Sequence, residues 1–253
     1  MNALSDLFLL PFCQLFIVIF IVFTAFIIFG INGFGSGLIA TPLLAIYIPL
    51  AKLIPMLALM SLAGSTINFF HDRKSIEKPE LYKLIPLMVI GNIIGAFLIL
   101  NIDTCILKVL LGFLAIAYSL YSFLQKKEFK KLSSYFSIPF GITGGIFTSL
   151  FACGGFLYMM YLSARLKEKQ QERATLSVII SFSSLTKTIV FLFAGVYLDY
   201  KIAFTAILLF TPMILGIYLG RHINLKFTPA QYKFAVNCII LGSGFTLLMN
   251  YFI

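Results

Sequence analysis

Apolar residues fill this chain in long runs, at about 11–30, 34–50, 53–70, 84–100, 105–124, 135–149, 154–164, 174–196, 202–220 and 234–252, with short polar and basic stretches between them. A membrane-spanning helix needs about 20 residues, and most of these runs reach that length. Two places break the pattern. Gly33-Phe34-Gly35-Ser36-Gly37, followed by Leu38 to Pro42, interrupts apolar sequence that extends from Leu15 to Leu50. Phe151-Ala152-Cys153-Gly154-Gly155 interrupts the stretch from Leu132 to Ala164, which is too long for one crossing and too short for two. In hydrocarbon every backbone N–H and C=O needs a partner, so non-helical backbone survives only where protein covers it or where it lines a cavity. Both breaks therefore predict pairs of half-helices meeting at a site.

The basic residues order these segments. Arg73-Lys74 to Lys83, Lys126-Lys127 to Lys131, Arg165 to Arg173, and Arg221 to Lys226 form four clusters, and cytoplasmic loops collect Lys and Arg. Only the segment around Cys153-Gly154-Gly155 separates the second cluster from the third. All four face the cytoplasm if that segment is a hairpin entering and leaving on the inner side. By the same count the first glycine hairpin enters from outside, both termini lie outside, and the connections near Lys52, Asp103 and Asp199 are external. Residues 1–124 and 135–253 then form two repeats joined by a basic cytoplasmic linker, 125–134. Each repeat has five segments, and an odd number inverts the second relative to the first. Gly91-x-x-x-Gly95 after Pro86 and Gly216-x-x-x-Gly220 after Pro212 mark the duplication, their small residues letting helix backbones approach closely. The expected fold is an all-α polytopic membrane protein of two inverted repeats, each a Gly-broken helical hairpin plus three transmembrane helices.

Composition agrees: 60% of residues are apolar and 11% charged, and the mean hydropathy is +1.02, against roughly 25% charged in soluble domains. The net charge of +10 sits in loop clusters, so it reads as topology and not as a nucleic-acid surface. Tyr serves any interfacial belt, because the chain has no Trp. Met1–Asp6 has no basic residue ahead of the apolar run and reads as part of the mature protein. Cys13, Cys105, Cys153 and Cys238 are scattered without a C-x-x-C, which gives neither a disulfide framework nor a metal site. No His/Asp/Glu cluster or nucleotide-binding glycine loop is present, so the sequence calls for no cofactor and no catalytic group.

Polar residues inside the apolar runs fall into register. Ser61, Ser65 and Asn68 in the third segment of the first half, and Ser177, Ser181 and Ser184 in that of the second, recur at helical spacing and predict one polar stripe per helix. Lys187 stands about two thirds of the way along its run. A lysine at the centre of a membrane helix costs on the order of 2.5 to 3.5 kcal/mol on insertion scales, so it is expected to face a cavity as a fixed positive charge for an anion.

With these residues in view, GFGSGLIATPLL, the Ser-rich helix, the G-x-x-x-G helix and the second copy after a basic linker resemble the sulfite exporter TauE/SafE family of small membrane transporters, from about Phe16 to Leu248. Gly33, Gly35, Gly37 and Pro42 match the family's first glycine pattern, with Ser36 in place of a glycine. In the second copy Gly154 and Gly155 match, whereas Phe151 and Cys153 stand where the family has glycine and Met160 where it has proline. The resemblance implies a secondary transporter, an exporter of a small anion such as a sulfur oxyanion or organosulfonate, in the bacterial cytoplasmic membrane. Its partners are that anion and the lipid bilayer, with homo-oligomers compatible and nucleic acid not involved. The amides at Ser36-Gly37 and Gly154-Gly155, as positive ends of half-helices, are expected to hold the anion together with the stripes, Cys153 and Lys187. A membrane thiol-redox carrier using Cys153 is the alternative.

Overall fold

The computed structural model describes residues 12–72, 75–124, 132–166, 168–222 and 229–252. Among them there is no strand, and the secondary structure is ten α-helices and two short 3-10 turns. The helices are α1 (Phe12–Asn32), α2 (Ser36–Leu44), α3 (Leu50–Asp72), α4 (Lys78–Asn101), α5 (Thr104–Leu124), α6 (Ser137–Phe151), α7 (Gly155–Arg165), α8 (Lys169–Phe193), α9 (Tyr200–His222) and α10 (Pro229–Phe252). Arg73-Lys74, the cluster at 126–131 and Lys226 lie outside the described residues. Among the described residues, α1, α3, α4, α5, α8 and α9 carry the six stretches long and apolar enough to cross a membrane. The chain is a multi-pass membrane protein.

The helix limits follow local chemistry. Gly33 and Gly35 have positive φ, 79° and 99°, a conformation that costs glycine little, so the chain turns from α1 into α2 within three residues. Gly195, φ 74°, ends α8 in the same way. Pro79 sits in the first turn of α4, where its missing N–H costs no hydrogen bond. The second hairpin is built as the sequence predicts. Its arms of 15 and 11 residues are about 22 and 16 Å long, both short of the roughly 30 Å hydrocarbon core. In the first hairpin only α2, with nine residues, is a half-helix. The expectation of two half-helices fails there because nothing in α1 interrupts its 21 residues, which reach about 31 Å.

Lipid removes the hydrophobic drive between helices, so close backbone contact has to hold them. The main pairings are α1 with α9, α4 with α6, α3 with α8, and α5 with α10. Glycines make the first two possible. A Cβ on Gly216 would strike the Phe23 carbonyl, and one on Gly220 the Ile27 carbonyl. Gly91 stands in the same relation to Ile142, and Gly95 to Ile146. Asn92, fully buried on α4, stitches three helices: its amide donates to Ser183 Oγ of α8 at 3.1 Å and its carbonyl accepts from Ser149 Oγ of α6 at 3.2 Å. Large apolar side chains such as Phe16, Phe20, Phe97 and Phe113 point outward, as a lipid-facing surface requires.

Candidate functional site

The two glycine breaks meet. Gly37, in the first turn of α2, packs so tightly on the second break that a Cβ there would overlap the Ala152 carbonyl, and Gly155 faces Phe34 of the first break. Ala152 takes the left-handed conformation, φ 55°, at the C-terminus of α6, the role that glycine plays in the first break. Left-handed backbone costs a residue with a Cβ about 1–2 kcal/mol. Ala152→Gly is therefore expected to stabilise the protein by about 1 kcal/mol, read as a higher Tm in detergent.

Between the two tips and helices α3 and α8 lies a cavity of about 20 Å³, room for a water or two. Phe29, Phe34, Leu38 and Ile180 form its apolar wall. The polar wall is Ser36 and Gly37 from α2, Ser61 from α3, Thr148 from α6, and Ser184 and Lys187 from α8, with Cys153 beside them. Lys187 is 1% exposed. Its ammonium donates to the Thr148 carbonyl at a long 3.4 Å, and among the described residues no carboxylate lines the cavity. The buried Ser184 hydroxyl has no hydrogen-bond partner among the described residues. Gly35 at the N-cap offers no side-chain cap to α2, and no backbone carbonyl among the described residues accepts from the amides of Ser36, Gly37 or Leu38. A helix start with open amides carries partial positive charge. Donors and positive charge thus converge on a volume that holds no negative group, an arrangement that stabilises an anion.

The sequence-predicted residues divide around this cavity. Gly35, Ser36, Gly37, Ser61, Cys153, Gly155, Ser184 and Lys187 line it, and the other predicted positions do not. Ser65, Ser177 and Ser181 turn their hydroxyls onto their own helices, to the carbonyls of Leu62, Arg173 and Ser177. Asn68 accepts from Arg221 at 3.1 Å. Gly33 lies under Arg173, whose guanidinium donates to the α1 end carbonyls of Gly30 and Ile31 at 3.0 and 3.3 Å, a cationic C-cap. Gly154 presses on the Gly144 carbonyl and the Thr148 hydroxyl. The second break also offers fewer amides than expected, because Phe156 and Leu157 donate to the carbonyls of Cys153 and Gly154. Sequence reasoning missed Thr148 and the apolar wall. Cys153 is buried at the cavity while Cys105 and Cys238 are exposed on α5 and α10, so neither of those two stands ready as its partner in a thiol carrier.

Residues 18–247 match the model of one protein family, described as Sulfite exporter TauE/SafE. Nothing among the curated proteins or the solved structures matches the chain.

Proposed function

This chain belongs to the sulfite exporter TauE/SafE family, and from that premise we propose that it is a secondary transporter exporting a small sulfur oxyanion or organosulfonate through the cavity between the two glycine breaks. One observation carries the reading: Lys187, a fully buried amine beside the open α2 amides and the unbonded Ser184 hydroxyl, with no acid among the described residues lining the cavity to balance it as an ammonium. A buried charge is costly when left unpaired, and a bound anion supplies the missing partner. The α2 amides, Ser184 and Ser61 complete the donor set, and the tips of the two hairpins place it between the halves of the chain.

Residues 1–124 and 135–253 are inverted repeats on this reading, with 125–134 as a cytoplasmic linker and both termini outside the bacterial cytoplasmic membrane. The pairing of helices supports it: α1 on α9 answers α4 on α6, while α3 on α8 and α5 on α10 each join counterpart helices. Access alternates as one repeat rocks against the other.

The cavity also sets a specificity. It has no carboxylate to receive an ammonium, so taurine, a zwitterion, leaves its cation unpaired, whereas sulfoacetate or sulfite does not. An unpaired buried charge costs several kcal/mol, and taurine is therefore expected to bind at least about 100-fold more weakly than sulfoacetate. The test is exchange of radiolabelled sulfite in proteoliposomes, with unlabelled anions as competitors. Competition by sulfoacetate and not by taurine supports the reading, and absence of sulfite exchange by folded protein refutes it.

A further inference from the structure

Two ion pairs sit at opposite ends of the bundle, each joining the first half of the chain to the second. At one end Glu80, buried in the first turn of α4, accepts from Arg165 Nη2 and Nε at 2.9 and 3.2 Å and from the Tyr161 hydroxyl at 2.7 Å. Lys83 adds a weaker charge contact at 3.7 Å. Tyr161 and Arg165 belong to α7, the returning arm of the second hairpin, whose first residue, Gly155, lines the cavity. At the other end Lys52, in the first turn of α3, donates to Asp199 at 2.7 Å, just ahead of α9. The Lys52 ammonium holds the Asp199 carboxyl below its ordinary range. The Tyr197 hydroxyl, beside that pair, donates to the Pro55 carbonyl at 3.1 Å.

The distances to the cavity match. Arg165 is ten residues beyond Gly155 along α7, and Ser61 is nine residues beyond Lys52 along α3. At 1.5 Å per residue, each pair lies about 14–15 Å from the cavity, on opposite sides. Both pairs are formed, and the cavity between them measures about 20 Å³.

We propose that Glu80–Arg165 and Lys52–Asp199 are the two gates of the cavity: one parts to open it to one side of the membrane while the other holds. This rests on the alternating-access reading, since rocking the repeats pulls each pair apart in turn. The gates are unequal. Glu80 is buried and held by three side chains, whereas the side chains of Lys52 and Asp199 are 42% and 32% exposed. Water screens and competes with an exposed pair, so the Lys52–Asp199 gate is the easier to open.

Cys153 is a built-in reporter, because it lies in the cavity and is buried. In full-length protein with Cys13, Cys105 and Cys238 replaced by Ser, a membrane-impermeant thiol reagent is added to one face at a time of oriented membrane vesicles. With both gates intact, Cys153 is expected to react slowly from either face. Glu80→Gln is expected to speed labelling about tenfold or more from one face only, and Asp199→Asn a few-fold from the opposite face only. If Glu80→Gln does not accumulate, Arg165→Gln cuts the same pair from its exposed end. Exchanging the charges, with Glu80→Arg and Arg165→Glu together, is expected to restore slow labelling. Acceleration from the same face by both variants, or by neither, overturns the proposal. Sulfite added to the opened variants tests the anion reading separately: one-sided labelling that sulfite does not slow keeps the gates and removes sulfite as the ligand.

Discussion

Gly37→Ala is expected to destabilise the protein by about 3 kcal/mol or more, at the upper end of overpacking costs. The added methyl would overlap the carbonyl of Ala152, which is backbone and cannot rotate aside as a side chain can. Ala152 is itself pinned, its N–H bonded to the Thr148 carbonyl at 2.9 Å. Nor can α2 retreat easily, since Ser36 to Pro42 are all buried. The tips must separate, and the cavity loses its floor. Gly242→Ala is the control: a Cβ there meets nothing within 4 Å, and alanine favours a helix by about 1 kcal/mol over glycine. Thermal unfolding in detergent is expected to show a large fall in Tm for Gly37→Ala and none for Gly242→Ala. Equal Tm values for the two variants would mean that the tips do not touch.

Lys187→Leu is expected to move stability and function in opposite directions. In the ligand-free protein Lys187 buries its amine with one long hydrogen bond, and leaving a polar group so poorly satisfied costs about 1–3 kcal/mol that an apolar side chain of similar size avoids. A higher Tm without ligand is therefore expected. Transport is expected to fall at least about 10-fold, because a charge-assisted contact to the anion, worth about 1.5–3 kcal/mol, is lost together with the balancing charge. A lysine that merely supported the fold would give the reverse, a lower Tm with transport impaired only in proportion.

The glycine breaks were legible because glycines inside an apolar run leave backbone that lipid cannot satisfy. Lys187 was legible for the same kind of reason, an energetic cost that membrane sequence rarely bears without a use. The serine stripes were half legible. Helical spacing groups Ser177, Ser181 and Ser184, but a serine in a helix has its own preceding carbonyl within reach, and of the three only Ser184 leaves its hydroxyl to the cavity. Asn68 escaped because its partner, Arg221, is 153 residues away. Glu80 stands in a stretch with Lys78 and Lys83 and reads as a solvated loop residue. Its burial depends on Tyr161 and Arg165 reaching it from α7, 81 and 85 residues further along the chain, which nothing local to it announces. The run at 11–30 already has the length of α1; reading it as a half-helix failed, since the break at Gly33 marks where a helix stops and not how far away it began.

The most direct test of the anion site is the thermal stability of purified protein across a panel of sulfite, thiosulfate, sulfoacetate, taurine and simple carboxylates, wild type beside Lys187→Gln. A ligand bound only by the folded state raises stability by RT ln(1 + [L]/Kd), about 2.7 kcal/mol at 100 times Kd. Stabilisation of the wild type by sulfur oxyanions and by sulfoacetate, absent in Lys187→Gln, is the expected result. An equal shift in both proteins would contradict the account, because the anion would then bind somewhere other than at Lys187.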